Sequence, residues 1–105
     1  MEFIEYPAFS DRIDEFLTHD EHQALQLALI NRPDLGAVIP RSGGLRKMRW
    51  RSHGTGKRGG LRVIYYLHAR DTFYMLYVYK KTDQEDLTPA QLKVLRSLME
   101  GIEDE

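Results

Sequence analysis

Three strand-like runs, Leu45–Arg51, Leu61–His68 and Thr72–Tyr79, follow one another through connectors of Ser52–Gly60 and Ala69-Arg70-Asp71. This spacing constrains the fold more than any other feature of the sequence. Parallel neighbours need a crossover of about a dozen residues or more, usually a helix. The reading is therefore an antiparallel meander. The second and third runs are dense in β-branched and aromatic residues, which suit a pleated, packed surface. Ser52–Gly60 is polar and glycine-rich, so it is expected to be mobile and longer than a tight hairpin turn.

The flanks read as helices. Phe3–Tyr6 is a short β-prone run, and Pro7 stands where a helix can begin. Phe9, Ile13, Phe16 and Leu17 then recur at helical spacing. Thr18 with Glu21 forms a capping-box pattern that starts a second helix, whose apolar face draws on Ala24, Leu25, Leu27, Ala28, Leu29 and Ile30 and which Pro33 ends. Residues 31–44 form a loop with one extended stretch at Val38-Ile39. Thr88-Pro89-Ala90-Gln91 combines a cap, a proline at the first helical position and a capping-box partner. The closing helix turns Leu92, Leu95, Leu98 and Met99 inward, and Gly101 is placed to end it.

The order is β-α-α-β-β-β-α, an α+β fold with an antiparallel sheet and the helices on one side. A length of 105 residues with 42% hydrophobic content supports a single domain over 1–105 with its own core. No apolar run approaches the roughly 18 residues of a membrane span. The acidic start Met1–Glu5 lacks the basic-then-apolar layout of a secretion signal. With no cysteine, the chain suits a reducing cytoplasm and has no thiolate metal site.

The net charge of −1 conceals a strong asymmetry. Residues 1–40 sum to −6 and residues 63–105 to −3, whereas residues 41–62 carry eight bases and no acid. Those bases are Arg41, Arg46, Lys47, Arg49, Arg51, Lys57, Arg58 and Arg62. Strand alternation puts Lys47, Arg49 and Arg51 on one face and Arg46, Met48 and Trp50 on the other. If this run pairs with the next, Arg62 converges on Lys47 and Arg49. Lys57 and Arg58 then lie above them, and Lys80 and Lys81 extend the patch. Cations this close repel one another unless an anion sits between them, so the pattern points to a phosphate site, most naturally on a nucleic acid. The same charges on an exposed strand also discourage sheet-to-sheet aggregation. Tyr65, Tyr66, Tyr77 and Tyr79 on neighbouring strands are stacking candidates for bases, although aromatic residues in sheets more often pack in the core.

Other signals carry less. Gly54–Arg58 superficially resembles a phosphate-binding loop, but Arg51 stands at its leading glycine position and Arg58 at its Ser/Thr position, so it is not one. His19 and His22 lack companions that would complete a metal set and read as surface residues. His53 decorates the basic connector, and His68 is a polar residue at a strand end.

Gly43–Arg49, Gly56-Lys57-Arg58-Gly59-Gly60-Leu61-Arg62-Val63-Ile64-Tyr65-Tyr66, Phe73–Leu76 and Asp86–Gln91 together resemble the RelE/ParE superfamily of bacterial toxins, most closely its HigB-like members. The resemblance follows the element order of nearly the whole chain and is strongest over 43–91. It implies a microbial-RNase-like fold, and metal- and cofactor-independent cleavage of mRNA on the ribosome. In such enzymes the RNA 2′-hydroxyl attacks the adjacent phosphate. By position, Lys47 and Arg49 match the alternating cations of the family strand, Arg62 matches the phosphate-clamping arginine, and Lys80 or Lys81 falls near the basic residue after the following strand. Arginine is a poor general base, and the family often has lysine where Arg49 stands, so Lys57 is the substitute base. Lys57 and Arg58 complete the catalytic set, with Arg46, Arg51, Tyr77 and Tyr79 as RNA contacts. The family's tyrosine beyond the last strand is absent from Thr82–Leu87. The implied partners are the ribosome, mRNA and a cognate antitoxin with a helix-turn-helix domain, through which alone operator DNA is contacted. Two alternatives use the same fold: a ParE-like gyrase inhibitor and a non-catalytic RNA-binding module.

Overall fold

The computed structural model describes residues 1–51 and 60–104. In chain order these form β1 (Glu2–Glu5), α1 (Pro7–Phe16), α2 (His19–Asn31), β2 (Ala37–Val38), β3 (Arg46–Trp50), β4 (Leu61–His68), β5 (Thr72–Lys80) and α3 (Pro89–Glu103). The local start signals act as the sequence implies. Thr18 Oγ1 accepts from Glu21 N at 3.2 Å while Thr18 N donates to Glu21 Oε1 at 2.8 Å. Thr88 and Gln91 repeat this at 3.1 and 3.0 Å. Each box satisfies backbone donors that the first helical turn leaves open, a contribution of about 1 kcal/mol.

The sheet runs β1-β5-β4-β3-β2. The expected meander β3-β4-β5 is present and antiparallel, but the sheet as a whole is mixed, because β1 pairs in parallel with β5 at the edge. The helices also depart from the expected single layer. Phe9, Ile13, Leu17, Leu25 and Leu29, from α1, α2 and the bend between them, pack with Met48, Val63, Tyr65, Phe73 and Val78 on one face. Leu95, Met99 and Ile102 of α3 pack with Leu45, Ile64, Tyr66, Leu76 and Tyr79 on the other. The cause is legible in β4, whose residues Leu61 to Tyr66 are all buried. A strand apolar on both sides needs cover on both sides.

Two further expectations give way to packing. Gly101 does not end the last helix, which continues to Glu103 because Ile102 is buried in the core. That burial outweighs the roughly 1 kcal/mol disadvantage of an internal glycine. On α2 only Leu25 and Leu29 are buried, while Leu27 is 60% exposed.

The loop after α2 is tied to the sheet by Tyr65. Its hydroxyl donates to Pro33 O at 2.8 Å and accepts from Gly36 N at 2.9 Å. A Cβ on Gly36 would lie 2.8 Å from the Tyr65 ring, so only glycine permits this approach. Among the described residues no helix is long and apolar enough to cross a membrane.

Candidate functional site

Pairing of β3 with β4 places Arg49 directly opposite Arg62 and Lys47 opposite Ile64. Like charges in directly opposed sheet positions destabilise the pair by up to about 1 kcal/mol, a cost that a bound anion removes. Arg62 is only 5% exposed, with Nη1 donating to Leu61 O at 3.3 Å, whereas Arg49 is exposed. Lys47 and Arg49 therefore lie on the α3 side of the sheet with Arg62, as their alternation implies. Arg51 follows β3 and is exposed.

An irregularity in β5 completes this face. Ile64 pairs with Tyr77, but Tyr65 pairs with Met75, which leaves Leu76 as an extra residue. The bulge reverses the alternation of β5 beyond that point. Phe73 and Met75 face α1 and α2, but so does Val78, and Tyr77 and Tyr79 are turned onto the α3 face. Tyr79 thereby becomes the register partner of Arg62.

The two tyrosines differ in exposure: Tyr79 is buried and Tyr77 half-buried. Tyr79 is 1% exposed, so neither ring face is open to a base. Tyr77 lies 5.8 Å from the Tyr79 ring, with the Arg12 guanidinium 5.7 Å from its own centroid. Its hydroxyl accepts from Arg12 Nη1 at 3.3 Å and from Gln91 Nε2 at 3.2 Å, and donates to Gln84 Oε1 at 3.4 Å. The Tyr79 hydroxyl, by contrast, is buried and has no hydrogen-bond partner among the described residues. Burial, with the nearby Asp86 charge, pushes its pKa up to about 12, against the opposing pull of Arg62. Among the described residues, a neutral donor without a partner thus sits beside Arg62, the most enclosed cation.

The remaining candidates divide. Lys81 lies at the mouth of the same face, its Nζ 3.8 Å from Glu85 and its charge felt by Asp86. Lys80 belongs to the other side, with its ammonium 5.4 Å from the Phe16 ring centroid on α1. Arg46 is also on that side and has a structural partner, since its Nη1 donates to Gly36 O at 2.6 Å. Lys57, Arg58 and His53 lie outside the described residues. His22, expected at the surface, is half-buried with Nε2 2.8 Å from Glu5.

Arg12, Gln84, Asp86 and Gln91 were not among the sequence candidates. Gln91 was findable, because the capping box that fixes the start of α3 also fixes which side chain meets the end of β5. Arg12 is one of two bases in an otherwise acidic first forty residues. Asp86 begins the family-like run Asp86–Gln91, but nothing in that run links it to Lys47.

Among the described residues, Lys47, Arg49, Arg62 and Lys81 thus gather on one sheet face of a small α+β protein, with Arg62 enclosed and positive charge concentrated there. The family model described as the RelE toxin of the RelE / RelB toxin–antitoxin system matches residues 23–104. The chain belongs to the RelE toxin family: it is the toxin component of a toxin–antitoxin system, and a cognate antitoxin is its partner.

Proposed function

We propose that this toxin is a ribosome-dependent mRNA endoribonuclease, of the HigB-like branch of its family, acting in the cytoplasm. The observation that carries the reading is the opposition of Arg49 to the enclosed Arg62, with Lys47 on the same face. In the reaction the RNA 2′-oxygen forms a bond to the adjacent phosphorus as its proton passes to a base. The bond from phosphorus to the 5′-oxygen then breaks, and that oxygen takes a proton. The products are a cyclic phosphate and a free 5′-hydroxyl.

Negative charge grows on the non-bridging oxygens in the transition state, so preorganised cations lower the barrier more than they tighten ground-state binding. Arg62 is the phosphate clamp, its planar fork suited to two oxygens at once. Arg49 and Lys47 stabilise the phosphorane. Lys81 is the proton donor at the mouth, and Lys57 supplies the base with Arg58 beside it. Arg51 contacts the RNA backbone outside the clamp. The antitoxin carries a helix-turn-helix domain and mediates contact with operator DNA.

The test is translation of a reporter mRNA in a cell-free system with the purified toxin, followed by primer extension. Wild-type protein is expected to cut only when ribosomes are present, and Arg62→Ala to lose about 10²–10³ in rate. Intact mRNA with folded wild-type protein would overturn the reading and favour a gyrase-inhibiting toxin on the same fold.

A further inference from the structure

Asp86 is a carboxylate set among the cations of the site, and the cleavage chemistry has no role for it. Its Oδ1 accepts from Lys47 Nζ at 3.1 Å and from Leu87 N at 2.8 Å, across the gap between the loop before α3 and strand β3. Lys81 attracts it as well, and its charge reaches Tyr79. The loop that presents it is braced. Gln84 Nε2 donates to Asp86 O at 3.0 Å and to Gln91 Oε1 at 2.8 Å, and Gln84 N donates to Lys80 O at 3.3 Å. The carboxylate is thus held where an incoming phosphate oxygen would meet Lys47.

We propose that Asp86 is an internal counter-ion that occupies the anion position at Lys47 and must be displaced by the RNA phosphate, so that it sets the affinity of the site for RNA. This rests on the reading of the cation face as an RNA site. A part as general base is disfavoured by the same contacts: two donors that stabilise the carboxylate also make it a weaker base, and its pKa lies below the usual carboxylate value. The pair is half open to water, with side-chain exposures of 35% for Lys47 and 66% for Asp86. The competition is therefore modest in size and reversible.

The test is fluorescence anisotropy with a short, fully 2′-O-methylated single-stranded RNA, which lacks the attacking hydroxyl and stays uncut. Asp86→Asn keeps an acceptor for Leu87 N and removes only the charge, and is expected to bind about three- to fivefold more tightly at low salt. Its affinity also falls more steeply with salt. In the wild type, Lys47 exchanges one anion for another and the freed Asp86 recruits a cation from solution, which offsets counterion release from the RNA. Asp86→Ser is the second variant and gives the same gain should the first fold poorly. In the double variant Lys47→Ala/Asp86→Asn the gain disappears.

Equal or weaker binding by both single variants would overturn the proposal, as would a gain that survives loss of Lys47. Absence of binding by wild type and variants alike also overturns it. Whether the cleavage reading falls too is decided separately, by the Arg62 translation assay.

Discussion

Removing one oxygen atom from each of two buried tyrosines is expected to lower stability in one case and not in the other. Tyr65→Phe deletes a hydroxyl with two partners, Pro33 O at 2.8 Å and Gly36 N at 2.9 Å. The Pro33 bond is worth about 1 kcal/mol, and leaving the buried Gly36 N–H without a partner costs a further 1–3 kcal/mol or so. The sum is about 2–4 kcal/mol. Tyr79→Phe deletes a hydroxyl that has no partner among the described residues, so the fold loses no hydrogen bond there and sheds a desolvation penalty. Its stability should be unchanged or raised by about 1 kcal/mol. Equilibrium urea denaturation at neutral pH reads both. With a urea slope of about 1–3 kcal/mol per molar for a small domain, Tyr65→Phe lowers the midpoint by roughly 1–2 M and Tyr79→Phe does not lower it. A loss of 1 kcal/mol or more in Tyr79→Phe would show that its hydroxyl is satisfied, and the argument built on it would fail.

Three other outcomes follow from the same contacts. Arg62→Lys keeps the charge but loses the planar fork, so its cleavage rate should fall between those of wild type and Arg62→Ala in the translation assay. Arg46→Ala should cost about 1–2 kcal/mol in thermal or urea unfolding, through the lost bond to Gly36 O, and leave cleavage near the wild-type rate because Arg46 is on the opposite face. The raised pKa of Tyr79, about 12 against an ordinary 10, favours the neutral phenol in the fold. That contribution is complete below pH 10 and is lost between pH 10 and about 12, at about 1.4 kcal/mol per pH unit, as the unfolded tyrosine ionises first. Unfolding at pH 9 and pH 11 should show this fall in the wild type and a smaller one in Tyr79→Phe.

The sequence was decisive where the physics is local. Thr18 with Glu21 and Thr88 with Gln91 start their helices because each pair closes its own hydrogen bonds within four residues. The alternation of β3 likewise separates Lys47 and Arg49 from Arg46, since a strand can turn consecutive side chains only to opposite faces. The convergence of Arg62 on Arg49 needed only the additional pairing of β3 with β4. Tertiary structure decided the rest. Strict alternation along Thr72–Tyr79 would put Tyr77 and Tyr79 on the same face as Phe73 and Met75. The bulge at Leu76 turns them toward Arg62, and a bulge is set by how two strands fit two different helix layers at once. The parallel pairing of β1, the placement of α3 on the far face and the reach of Asp86 across to Lys47 are contacts between residues far apart in the chain. The placement of α3 follows because a strand buried on both sides must be covered on both sides, a demand that falls on the whole fold and on no single segment of it.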